Sequence, residues 1–102
     1  MIRHAVFFRF KDDASEAARQ QHIDGFAALP EKIGEIRDYE WGHVIVGPDA
    51  KGQPEFHVAH YVIFDDVSSL QTYIDHTDHQ RFIERNRSAW DGVKVIDSEI
   101  AK

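Results

Sequence analysis

The chain has no cysteine in 102 residues. Disulfides, thiolate nucleophiles and thiolate metal sites are therefore excluded, and the composition fits a reducing compartment, so a cytoplasmic protein is expected. Cationic side chains are in short supply, with 12 Lys and Arg against 18 Asp and Glu, a formal net charge of −6. That balance offers no broad positive field to a polyphosphate backbone, and nucleic acid is not an expected partner. Long apolar runs are missing too. The opening "MIRHAVFFRFKDD" is interrupted by Arg9 and Lys11 far short of a secretory or membrane-spanning length, so it reads as a strand and no membrane partner is expected. Without low-complexity tracts, solenoid repeats or Ser/Gly linkers, residues 1–102 are expected to form a single domain. Neither a G-x-S-x-G turn nor a glycine-rich phosphate loop is present, which removes the usual settings for a serine nucleophile and for nucleotide binding.

What the chain does have is 42% hydrophobic residues laid out in two periodicities. "IRHAVFFRF" alternates, with Ile2, His4, Val6, Phe8 and Phe10 on one side and Arg3, Ala5, Phe7 and Arg9 on the other, as a strand does. From Ser15 to about Leu29 the spacing of Ala18, Ile23, Phe26 and Ala27 is helical, with Ser15 as N-cap and Pro30 as the stop. "RDYEWGHVIV" and "FHVAHYVIF" read as strands joined by the loop "GPDAKGQPE". A short helix carrying Val67, Leu70, Tyr73 and Ile74 follows. A second helical piece runs from about Asp78 to Trp90 with Phe82, Ile83, Asn86 and Trp90 inward, and "VKVIDSEI" closes the chain as a strand. The order is β-α-β-β-α-β. With right-handed crossovers this gives an α+β, ferredoxin-like four-stranded antiparallel sheet with its helices on one face. Yet Ala5, Phe7, Val44, Val46, Ala59, Tyr61 and Ile63 make the other face apolar as well. A sheet apolar on both faces needs a second cover, and another copy of the chain is the economical one, so the expected partner is self, as a homodimer through that face.

The chemistry-bearing stretch is "TYIDHTDHQRF". Thr77 with Gln80 three positions on is a capping box, which puts His76 just outside a helix and His79 in its first turn, where the helix dipole favours neutral imidazole. His79 shares a helical face with Phe82, Ile83 and Asn86, so its ring is expected to point inward. Two readings stand side by side here: a half-buried histidine bonded to a nearby carbonyl, and a ligand-contacting base. Seven histidines also invite a metal reading. His57 and His60 in "HVAH" are three apart on a strand and so point to opposite faces. His76 and His79 lack a carboxylate that would complete a zinc motif, and His22 and His43 have no paired neighbour in the sequence. No metal and no cofactor are expected.

In their order and spacing, "MIRHAVFFRFKDD", "YEWG", "VIFDDVSSLQTYIDHTDHQRF" and "RSAWDGVKVIDSE" resemble the stress-responsive A/B barrel domain family. The resemblance implies a dimeric α+β barrel of ferredoxin-like monomers, in line with the two-faced sheet. The family includes an enzyme that closes a linear polyketide by an aldol reaction between sheet and helices. The resemblance carries its catalytic tyrosine and histidine onto Tyr73 and His79, its N-terminal histidine onto His4 and its pocket tryptophan onto Trp90, while Thr77 stands where the family has a proline. The expected ligand-binding set is His4, Val6, Phe8, Phe26, Tyr73, His79 and Trp90. The leading function is binding of a small hydrophobic or aromatic molecule. The alternatives are a cofactor-free cyclase, lyase or isomerase with His79 and Tyr73 catalytic, and a structural dimer with a filled pocket.

Overall fold

In the computed structural model, which describes residues 1–101, four strands form one sheet in the order β2-β3-β1-β4. They are β1 (Ile2–Phe10), β2 (Asp38–His43), β3 (Val58–Phe64) and β4 (Trp90–Glu99). Every neighbouring pair is antiparallel. The architecture is the α+β, ferredoxin-like one. Register decides what can meet on the sheet. His4 lies between Val62 and Asp97, Val6 between His60 and Val95, and Phe8 between Val58 and Val93. Because side chains alternate, all nine of these residues project from the same face.

The helices α1 (Glu16–Ala27), α2 (Leu29–Lys32), α3 (Val67–Asp75) and α4 (Thr77–Asn86) cover that face. The core between them contains Val6, Phe8, Phe26, Val62, Phe64, Leu70, Tyr73 and Phe82. Ser15 caps α1 as expected, its hydroxyl accepting from Ala18 N at 3.0 Å. Three boundaries differ from the sequence reading. Pro30 does not end the first helix: α1 stops at Ala27, and Pro30 sits in the first turn of the short α2, where its missing N–H has no intrahelical role to play. The second helical piece ends at Asn86, passes through a 3-10 turn at Arg87–Ala89, and leaves Trp90 to open β4. Finally, β2 closes at His43, so Val44 and Val46 lie beyond it, although Val44 N still donates to His57 O at 2.9 Å.

Among the described residues, no helix lies over the other sheet face. Phe7 and Tyr61 meet there edge to face at 6.2 Å between centroids, and the Arg3 guanidinium rests 4.8 Å above the Tyr61 ring. Ile96, opposite Ala5, is 48% exposed on the same surface. No helix among the described residues is long and apolar enough to cross a membrane.

Candidate functional site

Between β1, β4, α3 and α4 lies a cavity of about 260 Å³. Its sheet side is Val6, Phe8, Val93 and Val95, and its helix side is Phe26, Ile74, Phe82 and Ile83. Trp90 contributes its indole, and the polar groups are His4, His79 and Asp97. Val93 and Val95 are 47% and 50% exposed because the helices stop short of β4, and this gap forms the mouth. The structure thus brings together His4, Val6, Phe8, Phe26, His79 and Trp90 from the expected set on one cavity. Tyr73 is the exception in position. It is fully buried and stands behind the wall, its ring 4.4 Å from that of His79 and 5.6 Å from that of His4.

The polar end has a defined geometry. His4 Nδ1 donates to Asp97 Oδ1 at 2.5 Å, a short charge-assisted bond whose two residues are paired across β1 and β4. His79 Nδ1 is 3.0 Å from the carbonyl oxygen of Ile74. A carbonyl only accepts, so Nδ1 carries the proton, and Nε2 of neutral His79 is left with its lone pair. Burial lowers the pKa of His79, opposed by the Ile74 hydrogen bond and assisted by His4 and His76, so the neutral form is favoured at pH 7. The Tyr73 hydroxyl is the one buried side-chain polar atom among the described residues with no hydrogen-bond partner. Burial, and to a lesser degree Tyr39, raises its pKa, so it is a neutral donor.

The helix start is built differently from the expected capping box. His76, not Thr77, is the N-cap, with Nδ1 accepting from Asp78 N at 3.1 Å, and Thr77 is the first helical residue. Gln80 does not close a box; its Nε2 donates to the Ile74 carbonyl at 2.8 Å, the same oxygen that fixes His79. The stretch is therefore both a cap and a cavity wall.

Sequence reasoning missed Asp97 because its relevance depends on register with His4, 93 residues away. It also treated His22 as unpaired. In the fold His22 and His60 meet, Nε2 to Nε2, at 3.0 Å. No group of three or more His, Cys, Asp or Glu is arranged to hold a metal ion among the described residues.

Comparison with known proteins agrees with this architecture. Olivetolic acid cyclase of Cannabis sativa is 27% identical over 96 residues, spanning 94% of this chain and 93% of that one. The solved structure of hydroxynitrile lyase from Passiflora edulis superposes with a TM-score of 0.86 at 22% identity, covering 99% and 94% of the two chains. A dimeric ferredoxin-like protein from Thermobifida fusca superposes with a TM-score of 0.80 at 23% identity, covering 97% and 90%. The model of the Stress Responsive A/B Barrel Domain matches residues 2–100, and the chain belongs to that family.

Proposed function

We propose that the protein is a homodimer that binds a small, uncharged aromatic or hydrophobic molecule in the cavity of each protomer. The observation that carries this reading is the contrast inside the cavity: apolar walls on nearly every side, with His4, Asp97 and His79 gathered at one end. Among the described residues no Lys or Arg lines it, while Asp97 adds a carboxylate. An anionic ligand would be desolvated without a counter-charge, so a carbonyl or hydroxyl compound is favoured over a carboxylate. The homodimer is supported by the apolar reverse face, where a shallow depression of about 410 Å³ is lined by Phe7, Trp41, Val44, Ala59 and Tyr61 among others, and by relatives described as dimeric.

A matched pair of probes tests the ligand class. Acetophenone and benzoate share their shape and differ in charge. Titrated into 15N-labelled protein, acetophenone is expected to shift the signals of His79, Trp90 and Val95, and benzoate to bind at least about tenfold more weakly, a difference of about 1.4 kcal/mol. Equal binding of the two, or shifts confined to another surface, would sink the reading.

A second reading is favoured by the tautomer of His79. With Nδ1–H held by Ile74, Nε2 is available to remove a proton next to a ligand carbonyl, as a cofactor-free cyclase, lyase or isomerase requires. The unspent Tyr73 hydroxyl is suited to stabilise the resulting oxyanion once it turns toward the cavity. Deuterium exchange at the α-carbon of acetophenone, present in the parent protein and lost in His79→Ala, separates catalysis from binding alone.

A further inference from the structure

Four polar side chains run through the aromatic interior behind the cavity. Trp90 Nε1 is 2.9 Å from His22 Nδ1, His22 Nε2 is 3.0 Å from His60 Nε2, and His60 Nδ1 is 2.8 Å from the Tyr39 hydroxyl. An indole N–H can only donate. His22 Nδ1 must then accept, which places the proton of neutral His22 on Nε2. That N–H donates to His60 Nε2, so the His60 proton is on Nδ1 and donates to the Tyr39 oxygen. Reversing a link sets two N–H groups against each other or leaves two lone pairs facing. One arrangement of protons satisfies the whole string, and it runs from Trp90 to Tyr39.

The string also backs the cavity wall. Phe8 meets His22 edge on at 4.3 Å between centroids, and Phe26 stacks on His60 at 3.7 Å with 3° between the planes. Phe8, Phe26 and Trp90 all line the cavity. His22 and His60 are themselves fully buried, where apolar rings would carry no desolvation cost. What imidazoles add is direction, and satisfied buried networks fix a single packing. Burial keeps both rings neutral, His22 drawn down to about 4 and His60 to about 3, with the neighbouring His22 contributing to the latter.

We propose that His22 and His60 are positioning residues of the ligand cavity: they hold the Trp90 indole through a one-way hydrogen-bond string and the Phe26 ring by stacking, and so set the shape a ligand meets. The binding consequence rests on the ligand reading above, whereas the string itself does not.

Imidazole 15N spectra of the unmodified protein at pH 7 test the string directly. The expected tautomers are Nε2–H for His22 and Nδ1–H for His60; the opposite tautomer at either residue overturns the proposal. Two substitutions then test positioning. In His22→Asn the amide oxygen takes the place of Nδ1 and still accepts from the indole, while in His22→Gln the amide sits where Nε2 was and leaves the indole unpaired. With the two tryptophans assigned through Trp41→Phe, the Trp90 indole N–H resonance is expected to stay put in the Asn variant and move in the Gln variant. Acetophenone affinity should be kept within about twofold in the former and fall at least about fivefold in the latter, roughly 1 kcal/mol. Identical behaviour of the two variants in both measurements would show that His22 fills space only. Failure of acetophenone to bind the parent protein defeats the ligand reading instead, and tautomers and indole resonance then decide the string by themselves.

Discussion

Tyr73→Phe is expected to make the protein more stable and less able to bind. The phenol is fully buried and its hydroxyl has no partner, so the fold carries a polar group stripped of water without compensation. Such a group costs about 1–3 kcal/mol. Phenylalanine keeps the ring that packs on Phe64 at 5.1 Å and on His79 at 4.4 Å between centroids. The void left by one oxygen atom gives part of the gain back through lost dispersion contacts. A net stabilisation of about 1 kcal/mol remains, which for a domain of this size raises Tm by about 4–8 °C. The measurement is urea unfolding followed by circular dichroism at one fixed protein concentration, since dimerisation makes the midpoint concentration-dependent. An unchanged m-value with a higher midpoint is the expected result. Acetophenone affinity should fall by about tenfold in the same variant, because the hydroxyl that the fold leaves without a partner can bond a ligand once it turns toward the cavity. A Tyr73→Phe protein that is less stable by 1 kcal/mol or more would refute the reasoning, for it would mean that the hydroxyl is satisfied in the free protein.

The remaining predictions concern pH, the helix cap and the sheet face. Burial depresses His22 and His60 below the ordinary histidine value near 6.5, so stability is complete above that pH and is lost as pH falls toward about 4, because only the unfolded chain takes up the protons. The slope is about 1.4 kcal/mol per pH unit for each histidine, and a urea midpoint as high at pH 5 as at pH 7 would contradict it. His76→Ala should cost about 1 kcal/mol of stability while Thr77→Ala costs little, since the capping atom is His76 Nδ1; thermal melts giving the reverse order would restore the capping box. Phe7→Glu places a charge on the bare sheet face and should yield monomer or precipitate in light scattering at micromolar concentration; a normal dimer would place the interface elsewhere.

How much of this was legible in the sequence differs from element to element. The alternation in β1 assigned His4, Val6 and Phe8 to one face, and helical spacing turned His79 toward Phe82, because both are local periodicities. Asp97 was not legible: from sequence, β4 is a run with several equivalent registers, and only pairing with β1 sets Asp97 beside His4. The His22–His60 contact joins the middle of a helix to a strand 38 residues on, a distance that no local pattern encodes. Pro30 misled for a different reason. Proline ends a helix when it falls in the interior but suits a first turn, and with the chain breaking at Ala28, Pro30 falls in the first turn of α2 rather than in the interior of α1.

The mouth of the cavity has a cost for solubility. β4 lies at the rim of the sheet, with one edge unpaired among the described residues, and it displays Val93, Val95 and Ile96 half in water. An unpaired, apolar edge strand is a template for intermolecular strand addition. In "WDGVKVIDSE" the charges of Asp91, Lys94, Asp97 and Glu99 interrupt the apolar positions like gatekeepers, so no window of the strand is free of charge and wholly β-prone. Removing one of these charges, for instance through Lys94→Val beside Phe7 on the reverse face, would leave Val93 to Ile96 uninterrupted along the open edge and favour fibril formation. The composition of this one strand is held between recognition on its inner face and colloidal stability along its edge.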